Sequence, residues 1–185
     1  MKAGSAYDAF MITAIIETHD DEVALAHALA ALVPAATEGV LREVVVIDHD
    51  SGDGTLVVAD AAGCTIVRAR AVSGDPRRFA AERARGDWLL FLSPATAMEP
   101  NWIGQALTFI DRAMVAGDAS ATARFRGGKL VGRWRARASD LWRWLISGRD
   151  RERGLLVSKT RWLAITAASP LSAASSVSGA RRGAA

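Results

Sequence analysis

Val44-Val45-Val46-Ile47-Asp48-His49-Asp50-Ser51-Gly52-Asp53-Gly54-Thr55 sets four β-branched residues directly against an acidic turn broken by two glycines. Such a run reads as a strand covered on both faces, and the Asp and Gly residues after it stop the strand. Thr55 to Ala62 then reads as a helix, so the polar turn stands at the carboxyl end of a buried strand. In open α/β sheets that edge is where ligands bind.

Working outward, Ile12-Thr13-Ala14-Ile15-Ile16 reads as an earlier strand. Glu22 to Val33 comes next as a helix, with Val23, Ala26, Ala30 and Val33 on its apolar stripe, Asp20 or Asp21 at its cap, and Pro34 as its stop. Thr65-Ile66-Val67 is a short strand, Arg77 to Arg85 a helix closed by Gly86, and Trp88 to Leu92 another buried strand. Pro100 opens a helix reaching about Val115. This alternation predicts an α/β fold, a mainly parallel sheet with helices on both faces. A dinucleotide-binding fold shares the order, but the first turn lacks Gly-x-Gly-x-x-Gly, and Glu17, Asp20, Asp21 and Glu22 would repel a pyrophosphate placed there. No Gly-x-x-x-x-Gly-Lys-Ser/Thr phosphate loop occurs either.

The turn at Asp48, Ser51, Asp53, Gly54 and Thr55 resembles the Val-Val-Asp-Asp-Gly-Ser-x-Asp-Gly-Thr nucleotide-binding turn of the family 2 glycosyltransferases, with His49 and Asp50 in place of the usual Asp-Gly. Glu17 to Glu22 is similar to that family's first turn, and Gly86 to Leu92 to the strand leading to its metal site. Glu99-Pro100-x-Trp102 matches the segment beyond that site, and Gly154 to Lys159 resembles the segment after the family's catalytic acid. The resemblance covers residues 11 to 163 and implies a GT-A nucleotide-diphospho-sugar transferase architecture. It also implies a nucleotide-diphospho-sugar and an unidentified acceptor as partners, and a divalent ion, Mn or Mg, as cofactor. Where the family places an Asp-x-Asp triplet for that ion, this chain reads Ser93-Pro94-Ala95. Alanine has no lone pair for a hard cation, so no metal ligand is assigned.

Asp48, Asp50, Asp53 and Glu17 are the expected nucleotide-binding residues; the alternative for Asp48 and Asp53 is that they only satisfy amides of the turn. Gly52 and Gly54 supply backbone freedom. Ser93, Arg77 and Arg78 are candidate phosphate contacts, with Arg68 and Arg70 as further sources of charge in place of the metal; each Arg is equally explained as a solvated charge. Residue by residue, Arg151-Glu152-Arg153-Gly154 sets Glu152 on the family's catalytic acid, where a carboxylate could deprotonate an acceptor hydroxyl, though a Glu between two Arg is also an ordinary exposed ion pair. His19 and His49 stand at two strand ends, where capping explains them as well as a metal site does, and His27 reads as a helix-surface residue.

One domain is expected over residues 1–163, followed by an Ala/Ser/Gly-rich tail at 164–185. The net charge of +3 conceals an asymmetry: residues 1–63 carry eleven acids against Lys2 and Arg42, while residues 124–161 carry twelve Lys or Arg against three acids. Leu130 to Ile146 reads as a basic helix with Leu130, Trp134, Ala138, Leu141, Trp142 and Leu145 on one side. It suits either the rim of the core or an anionic membrane surface, and nucleic acid ranks below both because no recognition motif accompanies the charge. The single Cys64 excludes an internal disulfide and fits a reducing compartment. With no signal peptide and no run of ~20 apolar residues, a cytoplasmic protein is expected, peripheral at the inner face of a membrane if the basic helix docks there. Two functions remain in view: a sugar transferase, or a non-catalytic nucleotide-sugar-binding or scaffold protein that has lost its metal site.

Overall fold

A computed structural model describes residues 11–126, 129–133 and 154–167. The elements run β1 (Ile12–Thr18), α1 (Glu22–Thr37), β2 (Leu41–Asp48), α2 (Thr55–Ala61), β3 (Thr65–Arg68), a 3-10 turn at Ala69–Ala71, and α3 (Pro76–Arg83). They continue with β4 (Trp88–Leu92), α4 (Trp102–Val115), β5 (Thr122–Arg126), β6 (Lys129–Arg133), β7 (Leu155–Ser158) and α5 (Lys159–Ala167). One seven-stranded sheet has the order β3-β2-β1-β4-β7-β5-β6. Strands β3, β2, β1 and β4 are mutually parallel. The remaining pairings, β4–β7, β7–β5 and β5–β6, are antiparallel, so five of the seven strands point one way and the sheet is mixed.

Alternation along the central strands divides the core between two faces. Ile12, Ala14 and Ile16 of β1 and Trp88, Leu90 and Leu92 of β4 face the layer of Leu25, Leu32, Ala59, Trp102, Phe109 and Ile110, drawn from α1, α2 and α4. Ile15, Leu89 and Phe91 face the opposite layer, where α3 supplies Ala80 and Ala81 and α5 supplies Trp162. Helices thus cover both faces, as the α/β alternation requires.

Several local expectations are corrected. Pro34 lies inside α1, which runs on to Thr37; proline forfeits one backbone bond and its φ is still helical. The chain turns instead at Gly39, whose φ of 76° lets Gly39 N–H reach the Ala36 carbonyl and Val40 N–H the Ala35 carbonyl, the αL closure that glycine permits. The stripe Val23, Ala26, Ala30 and Val33 is not the buried one; Leu25, Ala28, Leu32 and Ala35 are. Two leucines and two alanines bury more apolar area than two valines and two alanines would. The expected helix from Leu130 begins as strand β6, paired with β5 from Thr122↔Arg133 to Arg126↔Lys129, and the rest of it, with Trp134 and Trp142, lies outside the described residues. Trp162 is fully buried. Helix α5 also carries ordered chain to Ala167, past the expected domain end at 163. No described helix is long and apolar enough to cross a membrane.

Candidate functional site

Strands β1 and β2 are in register up to Thr18↔Asp48, so their acidic turns lie side by side at the carboxyl edge of the sheet. The turns interlock through each other's backbone. Asp20 Oδ1 accepts from Gly52 N–H at 2.6 Å, while Ser51 Oγ accepts from Asp20 N–H at 3.0 Å. Asp53 Oδ2 accepts from Glu22 N–H, Glu22 Oε2 from Gly54 N–H, and Thr55 Oγ1 from Asp21 N–H. A Cβ on Gly54 would stand 2.5 Å from the Glu22 carboxyl carbon, so glycine here is a matter of space.

The expected nucleotide-binding acids separate by environment. Asp48 is 2% exposed; its Oδ1 accepts from Ser51 N–H at 3.2 Å, and Oδ2 has no partner among the described residues. Asp50, with φ 62°, is exposed and pairs with Arg70 at 3.1 Å. Asp53 is held by the Thr55 hydroxyl and the amides of Thr55 and Glu22. These bonds, the Thr55 hydroxyl foremost, hold its carboxyl below the ordinary aspartate range. Glu17 accepts a two-pronged contact from the Arg77 guanidinium and a 3.2 Å bond from His49 Nε2.

Beside the interlocked turns opens a cleft of about 280 Å³ lined by Glu17, Thr18, His19, Asp21, His49, Phe91, Leu92 and Ser93. Among the sequence candidates, Glu17 and Ser93 line it directly. Asp48, Asp50, Asp53, Arg77 and Arg78 do not. Arg78 is committed elsewhere: it donates to the Leu163 carbonyl and the Thr166 hydroxyl and pairs with Glu82, tying α3 to α5. Arg68 is opposite Asp48 in the β2–β3 register. Glu152 lies outside the described residues. The sequence weighed His19 and His49 only as caps or metal ligands and passed over Thr18; the signal was their position at strand ends that pair in register.

The donor set does not fit the divalent ion the family implies. The Ala95 side chain offers no oxygen, the Ser93 hydroxyl is engaged with Thr96 at 3.3 Å, and no group of three His, Cys, Asp or Glu among the described residues could hold a metal ion. A hard cation needs several oxygens in fixed geometry.

A mixed sheet with a cleft at the carboxyl ends of its parallel strands is the architecture of the GT-A class. The chain belongs to glycosyl transferase family 2, whose model matches residues 13–166. No match is found among curated proteins. Among solved structures the chain is similar to glucosyl-3-phosphoglycerate synthase from Mycobacterium tuberculosis in complex with phosphoglyceric acid, at 15% identity and TM-score 0.55, covering 86% of this chain and 63% of that one. The same enzyme with uridine-diphosphate gives 16% and 0.55, covering 84% and 59%. With Mn2+, uridine-diphosphate-glucose and phosphoglyceric acid it gives 16% and 0.54, covering 86% and 63%. The chain therefore spans about three fifths of the length of these neighbours.

Proposed function

We propose that this chain binds a nucleoside diphosphate sugar, with uridine as the favoured base, across the carboxyl ends of β1, β2 and β4, and transfers the sugar to an acceptor hydroxyl. The observation that carries the reading is the β1–β2 register, which sets Thr18 beside Asp48 and brings both acidic turns to one edge in a chain of a sugar-transferring family. The free oxygen of Asp48 is suited to an imide N–H or a ribose hydroxyl. Glu152 is the proposed base: its carboxylate takes the acceptor proton, the acceptor oxygen bonds to the anomeric carbon from the face opposite the diphosphate, and the carbon–oxygen bond to the diphosphate breaks with its electron pair leaving on phosphate. Inversion results from attack on the opposite face.

The replacement of the metal-binding carboxylate by Ala95 favours a second reading, a nucleotide-sugar binder without turnover. Calorimetric titration with a panel of nucleotide sugars, with and without manganese, separates the two. Uridine-diphospho-sugar binding that is indifferent to manganese and to a chelator is expected, with product formation when the acceptor is supplied; binding alone supports the binder. Asp48→Asn is expected to weaken the nucleotide by about 1–3 kcal/mol, the scale of a hydrogen bond to a charged group. Unchanged affinity would remove Asp48 from the site.

A further inference from the structure

We infer that the carboxyl edge of β1 and β2 grips the nucleoside half of its ligand and gives the diphosphate half no hold, with Asp20, Asp21, Glu22 and Asp53 setting that preference. This rests on the nucleotide reading above and concerns which part of the ligand the chain recognises.

A phosphate at the edge of an α/β sheet is held by outward-pointing backbone N–H groups, by a metal, or by basic side chains. Here the amides are spent on the chain's own anions. His19 N–H donates to Asp21 Oδ2 at 3.1 Å, Glu22 N–H to Asp53 Oδ2 at 3.1 Å, Gly52 N–H to Asp20 Oδ1 at 2.6 Å, and Gly54 N–H to Glu22 Oε2 at 3.2 Å. Ser51 N–H goes to Asp48 and Thr55 N–H to Asp53. Five carboxylates thus take the amide bonds that an external phosphate would use. The metal's carboxylate is replaced by Ala95, Arg77 is paired with Glu17 and Arg70 with Asp50, and Arg78 ties α3 to α5.

The charge balance points the same way. Residues 17–22 and 48–53 carry seven carboxylates and no Lys or Arg. Arg77 and Arg70 reach them through their ion pairs, and Arg68 stands opposite Asp48 in register. Counting these three arginines and both histidines as positive still leaves two negative charges in excess. A diphosphate brought to this edge is repelled, and uridine, which has no charge, is not. Phe91 and Leu92 in the cleft wall offer the base an apolar surface. The cleft, about 280 Å³, lies just under the ~300–1,000 Å³ of small-molecule sites, a size that suits a nucleoside better than a whole nucleotide sugar.

Calorimetry with uridine and uridine diphosphate, in the presence of a chelator, tests this at about 0.01 M and about 0.15 M salt, between which the Debye length falls from ~30 Å to ~8 Å. Uridine is expected to bind equally at both. Uridine diphosphate is expected to bind more weakly than uridine at the lower salt and to gain about threefold or more at the higher, where screening relieves the repulsion. Asp21→Asn keeps an oxygen for the His19 amide and removes one charge from the cleft wall. It is expected to raise the affinity for uridine diphosphate relative to uridine by about threefold at the lower salt, the scale of one like-charge contact through water. Tighter binding of uridine diphosphate than of uridine, an affinity for it that is flat or falls with salt, or an unchanged ratio in Asp21→Asn overturns the exclusion and leaves the nucleotide reading in place. Failure of both ligands to bind at either salt overturns both.

Discussion

Asp53 shows how one carboxylate can tie two neighbouring turns together. Its two oxygens collect the Thr55 hydroxyl, the Thr55 amide and the Glu22 amide, which joins the β2 turn to the first turn of α1. Glu43 is lowered as well: burial pushes its carboxyl up, and the Arg85 amide and guanidinium and the Thr13 hydroxyl together outweigh that. For Asp53 the folded carboxyl titrates below its ordinary value of 3.8, so its contribution to stability is present above that value and is lost as pH falls through the lower, folded one. Asp53→Asn is therefore expected to be less stable than the unmodified protein at neutral pH, with the gap closing below about pH 4. Denaturant unfolding across that range measures it; a gap of constant size would mean that Asp53 acts by shape and not by charge. The sequence offered the motif and two readings of Asp53, binding or turn-building. Its bonding partners in the structure are those of a turn-builder, and one of them comes from α1, which no local pattern around residue 53 reveals.

At the scale of elements, β2 and β4 were legible because each is an uninterrupted apolar run, and that pattern needs no tertiary information. The end of α1 was misread because Pro34 is a strong local signal and Gly39 a weak one. A proline without an N–H costs the helix one bond and crowds the carbonyl four residues earlier, yet the apolar face of α1 continues through Ala35 and keeps the chain helical until Gly39 can turn it. The residue is thus tolerated at a cost. Pro34→Ala restores the N–H for the Ala30 carbonyl on an exposed face, and is expected to raise stability by about 1–2 kcal/mol, less than the full interior penalty of ~3 because proline also restricts the unfolded chain. Thermal and denaturant unfolding would read it, and a destabilised variant would show that the proline is placed to shape the last turn.

Across the whole molecule, the antiparallel half of the sheet was the part the sequence hid. β5 (Thr-Ala-Arg-Phe-Arg) and β6 (Lys-Leu-Val-Gly-Arg) are short and rich in charge, and β7 reaches its place only from far along the chain. That strand nonetheless lies inside the sheet, antiparallel to β4 on one side and to β5 on the other. Leu155, Leu156, Val157 and Trp162 are all fully buried, and the Trp162 ring lies 4.1 Å from that of Phe91, centroid to centroid. At about 1.5–3 kcal/mol for each buried side chain, these four contribute roughly 6–12 kcal/mol, comparable with the whole stability of about 5–15 kcal/mol expected of a folded domain. A chain ending at Arg153 is therefore expected to lose cooperative unfolding, because it leaves the β4 and β5 edges unpaired and uncovers the Phe91 face. A chain ending at Ala167 keeps every described element and is expected to melt within about 2 °C of the full sequence. Circular dichroism melts of the two truncations make the comparison, and a cooperative transition in the shorter one would mean that the parallel half folds without its antiparallel partner.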